Sequence, residues 1–411
     1  MSWEKTTIGA HCTVTSSKRF HLSDRCEEGV PFYCSKEIIQ KVNGQAVTEC
    51  DFIKEEFYED VKERFGVPCA GDLLITSRGT YGIPYIYRES DRFYFADGNL
   101  TWLKDFDEGL LARYLYYWIW SHEGQKKIDT IAKGTAQKAL PIASIRDIEL
   151  TVPSLEVQGR IVEILSAYDD LIENNQKQIE LLEEVAQRLY KEWFVDLRFP
   201  GYENTPIIDG VPQGWEKSAF SDVFTFVRGK SYTSKELSES DGVLMVNLKN
   251  IRAYGGYKRN AEKRFTGVYK EEQLLVGGDV VMGVTDMTQE RRLVGHVALI
   301  PSFNEKVTFS MDLIKLMPYS VSKNYLYCAL QYGGYSEQIA PLANGVNVLH
   351  LKPEAMMKME MLVPDENTMQ TFDVQFEAVR LKIEALEKQC NLAVQARDRL
   401  LPKLMSGELE V

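Results

Sequence analysis

The chain has 411 residues, of which 44% are hydrophobic and 26% are charged. This composition is typical of a soluble globular protein with about two to four domains, and it excludes a peptide, a fibrous protein and a disordered chain. The formal net charge of -12, taken alone, argues against nucleic-acid binding.

No stretch of the sequence predicts a membrane segment or an export signal. The most apolar stretch, residues 110–120, is interrupted by Arg113 and is shorter than the roughly 18 residues that a spanning helix needs. Residues 1–5 lack the apolar core of a signal peptide. We therefore expect a cytoplasmic protein that does not contact a membrane.

The seven cysteines and five histidines form no recognisable framework. The cysteines are odd in number and include no Cys-x-x-Cys pair, which is typical of reduced thiols. The histidines are scattered, and none has the spacing of a zinc motif. We predict neither disulfides nor a metal site.

The charge is unevenly distributed along the chain. Residues 151–200 carry 5 basic and 10 acidic side chains, whereas residues 201–360 carry 18 of each. The neutral stretch contains a dense basic cluster with interleaved aromatic residues, which suits phosphate contacts and packing on bases. An ordinary solvated surface is equally compatible with this composition. The basic cluster comprises Lys249, Arg252, Lys258, Arg259, Lys263, Arg264 and Lys270, and the aromatic residues are Tyr254, Tyr257, Phe265 and Tyr269.

Short motifs recur in the same order in both halves of the sequence, which indicates an internal repeat. The offsets between matching motifs stay between 207 and 213 residues, so only small loop insertions separate the two copies. The matching pairs are Trp3-Glu4-Lys5 with Trp215-Glu216-Lys217, Gly29-Val30 with Gly242-Val243, Gly71-Asp72 with Gly278-Asp279, and Val152-Pro153 with Val363-Pro364.

The first part of each copy, residues 1–152 and 212–363, predicts short strands, turns and a few helices. Strands are expected within residues 71–76 and 293–300, and a helix is expected over residues 108–120.

The second part of each copy predicts one long helix. Its seam residues repeat every 3.5 positions, which is the spacing of a coiled coil. Asn175 and Arg397 are the polar exceptions, and such residues commonly fix the register of a seam. Pro402 is expected to end or kink the second helix, with Gly407 as a stop. The seam residues are Ile161, Leu165, Tyr168, Ile172, Asn175, Ile179, Leu182, Ala186, Leu189 and Trp193, then Phe372, Phe376, Val379, Ile383, Leu386, Cys390, Ala393, Arg397, Leu400 and Leu404.

The predicted fold class is α+β, with two similar mixed α/β domains separated by two long antiparallel coiled-coil helices. The expected boundaries are 1–152 and 200–363 for the mixed domains, and 153–199 and 364–411 for the helical segments.

Enzyme motifs are missing: the Gly229-Lys230-Ser231 sequence has Phe224 where a phosphate-binding loop needs its first glycine. No nucleotide-binding, hydrolase, base-methylation or nuclease signature is found, which favours a binding protein.

Several motifs together resemble the specificity subunit of type I restriction-modification systems, and the resemblance covers essentially the whole chain. They are the Val-Pro-x-Gly-Trp sequence at 211–215, the Gly-Asp strands at Gly71 and Gly278, the loops 77–82 and 133–140, the Val-Pro before each long helix, and segments 189–194 and 400–408.

The resemblance implies two target recognition domains, each reading one half of a split double-stranded DNA sequence, with the helices holding them apart. Two methylation subunits would bind around the helices, and restriction and translocation subunits would join for cleavage. S-adenosylmethionine, ATP and Mg would be bound by those partners. This chain would itself be non-catalytic and bind no cofactor.

Candidate DNA-binding residues are basic or polar side chains on loops, because phosphate contacts position a reader and side chains on base edges specify the sequence. Asp286, Thr288 and Gln289 add polar groups to the loop that follows the strand at Gly278 and carries Arg291 and Arg292. The second copy has residues 344–348 where the first has 133–137, so a role for Gln137 is not carried over to it. The candidates are Arg78, Thr80, Tyr81, Lys133, Gln137 and Lys138, then Lys249, Arg252, Tyr254, Lys258, Arg259, Lys263, Arg264, Arg291 and Arg292.

Two alternatives remain open at this point. A coiled-coil scaffold that binds no DNA would fit the net charge, but it does not explain a repeated domain with divergent loops. A reader subunit of a related restriction or methylation system, in which one chain also cuts or methylates, is disfavoured by the missing motifs.

Overall fold

The computed structural model describes residues 3–21, 24–134 and 138–411. The chain forms two compact units: unit 1 comprises Met1–Lys177 and Lys388–Val411, and unit 2 comprises Gln178–Glu387. Each unit contains one mixed domain and a part of each long helix. The domain boundaries predicted from the sequence stay a prediction, since the units divide the chain within the helices.

Unit 1 contains short strands in three sheets, with the orders β1-β10, β2-β9-β6-β7 and β3-β5-β4-β8. The strand predicted within residues 71–76 is β6, which is buried along its whole length. The strands are β1 Glu4–Thr7, β2 Thr13–Thr15, β3 Arg25–Cys26, β4 Val30–Tyr33, β5 Asp51–Ile53, β6 Leu73–Thr76, β7 Pro84–Ile86, β8 Tyr94–Phe95, β9 Leu100–Lys104 and β10 Glu149–Val152.

The helices that begin in unit 1 are α1 Ile8–His11, α2 Ser35–Val42, α3 Glu55–Phe65, α4 Ala112–Trp120, α5 His122–Ile131, α6 Ile142–Arg146 and α7 Leu155–Tyr190. Helix α4 begins four residues later than the sequence predicted. The amide of Gly109 donates to the carboxylate of Asp107 at 2.8 Å. This local bond competes with helical hydrogen bonding and keeps residues 107–109 in a turn.

Unit 2 repeats the same framework. Its corresponding sheets are β13-β24, β14-β22-β18-β20 and β15-β17-β16-β21, and two-stranded ribbons β11-β12 and β19-β23 are added. The strands are β11 Ile207–Ile208, β12 Val211–Pro212, β13 Glu216–Ala219, β14 Phe224–Arg228, β15 Leu237–Ser238, β16 Val243–Val246, β17 Lys263–Phe265, β18 Val280–Gly283, β19 Thr285–Asp286, β20 Val297–Leu299, β21 Val307–Phe309, β22 Leu313–Pro318, β23 Leu349–His350 and β24 Glu360–Val363. The helices are α8 Lys323–Tyr332, α9 Tyr335–Ile339 and α10 Glu366–Met405.

The repeated glycines explain why the two copies share landmarks. Gly29 has φ +146°, and a Cβ at this position would lie 2.3 Å from the carbonyl oxygen of Ile53. Gly242 has φ +90°, and a Cβ there would lie 2.2 Å from the carbonyl oxygen of Phe265. Only glycine allows this turn to pass so close to the neighbouring strand. The prediction of two similar mixed domains is therefore confirmed.

The two long helices pack antiparallel within each unit. In unit 1, Asn175 of α7 donates to Gln389 of α10 at 3.2 Å. In unit 2, the rings of Trp193 and Phe372 lie 5.9 Å apart. The predicted seam positions of both helices are all buried or half-buried, so the seam is confirmed.

Helix α7 is followed by a π-helical turn, Lys191–Val195. Its aromatic residues belong to the main core of unit 2. The ring of Phe194 lies 4.9 Å from the rings of both Tyr325 and Phe372, and 5.7 Å from that of Trp215. The aromatic motif at the end of the first long helix therefore anchors that helix to the second mixed domain.

Helix α10 does not end at Pro402, but the predicted stop at Gly407 is confirmed. It continues past Pro402 to Met405, and Gly407 follows with φ +74°. A proline in a helix cannot donate a backbone hydrogen bond to the carbonyl four residues earlier. Because Pro402 lies in the last turn, only this one hydrogen bond is lost and the turn is completed. Within the described part of the chain, no helix is long and apolar enough to cross a bilayer.

Candidate nucleic-acid interface

Two loops of unit 1 are joined at the end of strand β6. The first, residues 77–83, exposes Arg78 and Thr80. The second, residues 133–139, is closed by two 2.9 Å hydrogen bonds between the backbones of Lys133 and Ala139. Arg78 and Ala139 form a β-bridge, and the amide of Leu140 donates to the carbonyl of Ser77 at 2.9 Å. These loops are called the loop pair of unit 1.

The loop pair of unit 1 brings together five of its six predicted site residues. Lys133 and Lys138 are exposed on the second loop. The hydroxyl of Tyr81 donates to Asp129 at 3.1 Å, and the ammonium of Lys138 lies 6.0 Å from the ring centre of Tyr81. The sixth predicted residue, Gln137, lies outside the described residues. The exposed charged side chains of the two loops, Arg78, Lys133 and Lys138, are all basic.

Unit 2 holds an equivalent pair of loops, residues 284–296 and 344–350, called the loop pair of unit 2. Asn344 and His350 close the second loop with backbone bonds of 3.0 and 2.9 Å, at an offset of 211 from Lys133 and Ala139. The first loop begins with β19, which pairs with β23. The same backbone connection therefore occurs in both units.

Asp286 organises the first loop of this pair. Its buried carboxylate accepts the amide of Thr288 at 2.8 Å, the hydroxyl of Thr288 at 2.9 Å and the amide of Leu293 at 2.7 Å. Burial alone would raise the pKa of Asp286, but these hydrogen bonds to the ionised form lower it below the ordinary value. The carboxylate is thus occupied inside the loop rather than offered to a ligand.

The arginines of this loop differ from each other. Arg292 is exposed and forms an ion pair with Glu290 at 2.5 Å. Arg291 is half-buried, has φ +54°, and its buried Nε has no hydrogen-bond partner within the described part of the chain. A left-handed arginine is strained, and such strain is concentrated at functional sites.

Tyr254 lies beside the same loop. Its amide donates to the carbonyl of Arg292 at 2.8 Å, and its exposed ring meets the edge of His296 with ring centres 5.7 Å apart. Tyr254 also has a positive φ of 64°, which turns the chain back towards the sheet. The structure therefore places Tyr254, Arg291 and Arg292 together.

Two arginines of the basic cluster face acidic residues of the long helices within unit 2. Arg252 forms ion pairs with Glu183 at 3.1 Å and with Glu387 at 3.7 Å. Arg259 pairs with Glu387 at 2.8 Å. Burial raises the pKa of Glu183 and the charge of Arg252 opposes this shift. These arginines balance helix carboxylates, a role that their spacing in the sequence does not indicate.

The remaining members of the basic cluster divide into paired and unpaired side chains. Lys263 donates to the hydroxyl of Tyr232 at 2.6 Å, and Arg264 forms an ion pair with Glu305. Lys270 pairs with Glu272 at 3.3 Å. In the described structure, the exposed Lys249 and Lys258 have no ion-pair partner. The residues available for phosphate contacts are therefore fewer than the cluster suggests.

Comparison with known proteins identifies the framework that carries these loops. Residues 1–184 match a family described as the type I restriction modification DNA specificity domain. The MjaIX specificity subunit of Methanocaldococcus jannaschii, a type I restriction enzyme subunit, is 27% identical over 364 residues, covering 83% of this chain and 78% of that protein. The HindI specificity subunit of Haemophilus influenzae is 20% identical over 367 residues, covering 73% of this chain and 78% of that protein.

A solved structure extends the comparison to the second copy. The S subunit of a type I restriction-modification system from M. genitalium has a TM-score of 0.63 at 16% identity, and the match covers 98% of this chain and 96% of that one. Residues 1–184 therefore carry the DNA specificity domain of type I restriction-modification systems, and the whole chain shares the fold of that S subunit. The resemblance found in the sequence motifs is thereby confirmed.

The comparisons do not test the predicted DNA-binding residues, which stay a prediction. The structure brings the loop residues of each unit together, but it directs Arg252 and Arg259 towards helix carboxylates. Sequence reasoning missed the exposed apolar side chains of Met287 and Val346, which lie on the loop pair of unit 2. The sequence feature that could have revealed Met287 and Val346 is an apolar residue flanked by polar residues within a predicted loop. No group of side chains that could hold a metal ion is found among the described residues.

Proposed function

We propose that this chain is the DNA-reading subunit of a type I restriction-modification complex, with each loop pair reading one half of a split target. The observation that carries the proposal is the loop pair itself. It occurs twice on the same sheet framework, at an offset of 211 residues, with different exposed side chains in each copy. Two such surfaces suit two different half-sites.

The side chains of the loops supply the chemistry that reading requires. Arg78 and Arg292 are exposed guanidinium groups, which can donate two hydrogen bonds to guanine in the major groove. Lys133, Lys138 and Lys258 are exposed cations that can contact phosphates without reading the sequence. The arginines would thus read bases, and the lysines would position the protein on the DNA backbone.

The same proposal assigns chemistry to partner subunits. Methylation subunits, two in number, would bind the long helices and supply S-adenosylmethionine chemistry at adenine. Restriction and translocation subunits would use ATP and Mg. This chain would then be non-catalytic, bind no cofactor and act in the cytoplasm, where its DNA target lies.

A binding experiment separates this proposal from a scaffold function. The chain, purified together with its methylation subunit, is incubated with a library of random duplexes, and the bound fraction is sequenced. We expect enrichment of two short motifs at a fixed separation. A complex that assembles but binds all duplexes equally would indicate a scaffold, and methyl transfer by the purified chain alone would indicate a combined reader and enzyme.

A further inference from the structure

Two large apolar side chains are exposed on the loop pair of unit 2. Met287 is 79% exposed and Val346 is 87% exposed. An exposed apolar side chain does not contribute the stabilising free energy that it would contribute if it were buried. Met287 lies on the loop that carries Gln289, Arg291 and Arg292, and Val346 lies on the loop that accepts a hydrogen bond from Gln289, so both lie near polar groups suited to base edges.

The backbone holds Val346 outward on a tightly closed loop. Gly345 has φ +152°, and a Cβ at this position would lie 1.9 Å from the carbonyl oxygen of Val348. The side chain of Gln289 donates to the carbonyl of Val346 at 2.9 Å, which ties the two loops together. The position of Val346 is thus fixed by hydrogen bonds on both sides of the loop.

Met287 is held in a similar way. It lies between Asp286, which is buried, and Thr288, whose amide and hydroxyl both donate to the Asp286 carboxylate. The Met287 side chain itself is exposed to solvent. Both apolar groups therefore project from hydrogen-bonded turns.

The shared framework does not require these apolar residues. At the same offsets, 207 and 211, the first copy has Thr80 and Thr135. Thr80 is exposed, and Thr135 lies outside the described residues. The apolar pair is therefore a property of unit 2 alone, as expected for a residue that selects one half-site rather than one that supports the fold.

We infer that Met287 and Val346 contact the C5 methyl group of thymine in the half-site that unit 2 reads. This inference rests on the proposed function and names the base feature that its second surface selects. The thymine methyl is an apolar group that base edges present in the major groove, and apolar side chains commonly recognise it. Arg292 would read polar atoms of a neighbouring base, while Gln289 holds the second loop in place.

The test removes the methyl group from the DNA and the apolar group from the protein. Each thymine of the half-site is replaced in turn by uracil, which differs only by that methyl. The complex of this chain with its methylation subunit should bind at least one uracil duplex about three- to fivefold more weakly, as expected for one apolar carbon group. The double variant Met287→Ala with Val346→Ala should bind the thymine and uracil duplexes with nearly equal affinity, and at least one single variant should show a smaller uracil effect than the parent.

Matched controls come from the opposite end of the same sheet. Val276 and Met317 are 60% and 42% exposed. They lie near Val280 of β18, whereas the loop pair follows Gly283 at the other end of that strand. Val276→Ala and Met317→Ala should keep the full uracil effect, which shows that the loss is specific to the loops.

The outcomes distinguish this inference from the proposed function. Sequence-specific binding with no uracil effect in the parent complex would overturn the inference and leave the proposed function intact. A uracil effect that persists unchanged in both loop variants would overturn it equally. A complex that binds no sequence in preference to another would overturn the proposed function, and the inference with it.

Discussion

At the scale of single residues, the sequence shows charges but not their partners. Arg252 and Lys258 are both basic residues of one cluster, yet Arg252 faces Glu183 and Glu387 of the long helices while Lys258 is exposed and unpaired in the described structure. These partners are 69 and 135 positions away from Arg252 in the sequence. Ion pairs of such separation depend on the fold, so local spacing could not predict them.

Lys249 and Lys258 should therefore contribute more to phosphate contacts than the paired arginines. Replacing both by Gln should weaken binding to all duplexes and lower the slope of log affinity against log salt by about two, because each lost phosphate contact removes about one counterion. The slope is measured by fluorescence anisotropy on the complex with the methylation subunit.

The matched control for this prediction is the pair Arg252→Gln and Arg259→Gln. These changes remove ion pairs with helix carboxylates, so they should lower the melting temperature and leave the salt slope nearly unchanged. If the arginine variants instead lower the slope and the lysine variants do not, the assignment is reversed.

Arg78 and Arg292 should act on sequence discrimination. Alanine at either position should relax the preference at one base position by about 1 to 3 kcal/mol, if the arginine donates two hydrogen bonds to guanine. Affinities for duplexes with single base changes measure this directly. A uniform loss of affinity for every sequence would mean that these arginines are phosphate contacts.

At the scale of elements, the long helices were the most predictable part of the chain. A period of 3.5 residues over 33 positions depends only on which side chains are apolar, so it is readable without tertiary information. The ends of elements were less predictable. Helix α4 begins late because Asp107 holds Gly109 in a turn, and α10 passes Pro402. The first effect depends on one local hydrogen bond, and the second on the position of Pro402 in the last turn of its helix.

The polar positions of the seam fix the alignment of the helices within unit 1. Arg397 pairs with Asp169 at 2.7 Å, and the hydroxyl of Tyr117 donates to the same carboxylate at 2.6 Å. Both charged side chains are less than a third exposed. Removing one partner leaves the other charge only partly solvated, which is costly.

Arg397→Ala should destabilise the protein by about 1 to 2 kcal/mol, which is below the cost of breaking a fully buried pair because water still screens this one. Arg188→Ala is the control, since its pair with Glu184 is an exposed contact along one helix and should be worth about 0.3 to 0.5 kcal/mol. Urea unfolding followed by circular dichroism compares the two. Equal losses would show that Arg397 does not fix the seam.

Helix length should set the distance between the half-sites. Seven residues inserted after Gln176 and seven after Glu387 preserve the seam, because the Asn175–Gln389 contact places these positions at the same level. Each helix grows by about 10 Å, which is roughly three base-pair steps. The variant should read the same two half-sites with a spacer one to three base pairs longer. A folded, active variant with an unchanged spacer would show that the helices do not measure the site.

At the scale of the whole molecule, the internal repeat made the architecture predictable. Gly29 and Gly242 occupy matching turns, and at each turn the backbone lies so close to a carbonyl oxygen of the neighbouring strand that only glycine fits. Glycines repeated at such positions can be recognised in the sequence. The loops resisted prediction for the opposite reason. The loop position of Val346 depends on a hydrogen bond from Gln289, 57 positions away, and the internal role of Asp286 depends on bonds to Thr288 and Leu293 that form only in the folded loop.

The central claim is that one chain reads two half-sites of a split DNA target. The most direct measurement is a methylation map of a genome, by single-molecule sequencing, in cells that express the methylation subunit with and without this chain. The account predicts methylated adenines in one motif of two constant halves around an unread spacer of fixed length, and their loss without the chain. A continuous motif, or methylation that does not depend on the chain, would contradict it.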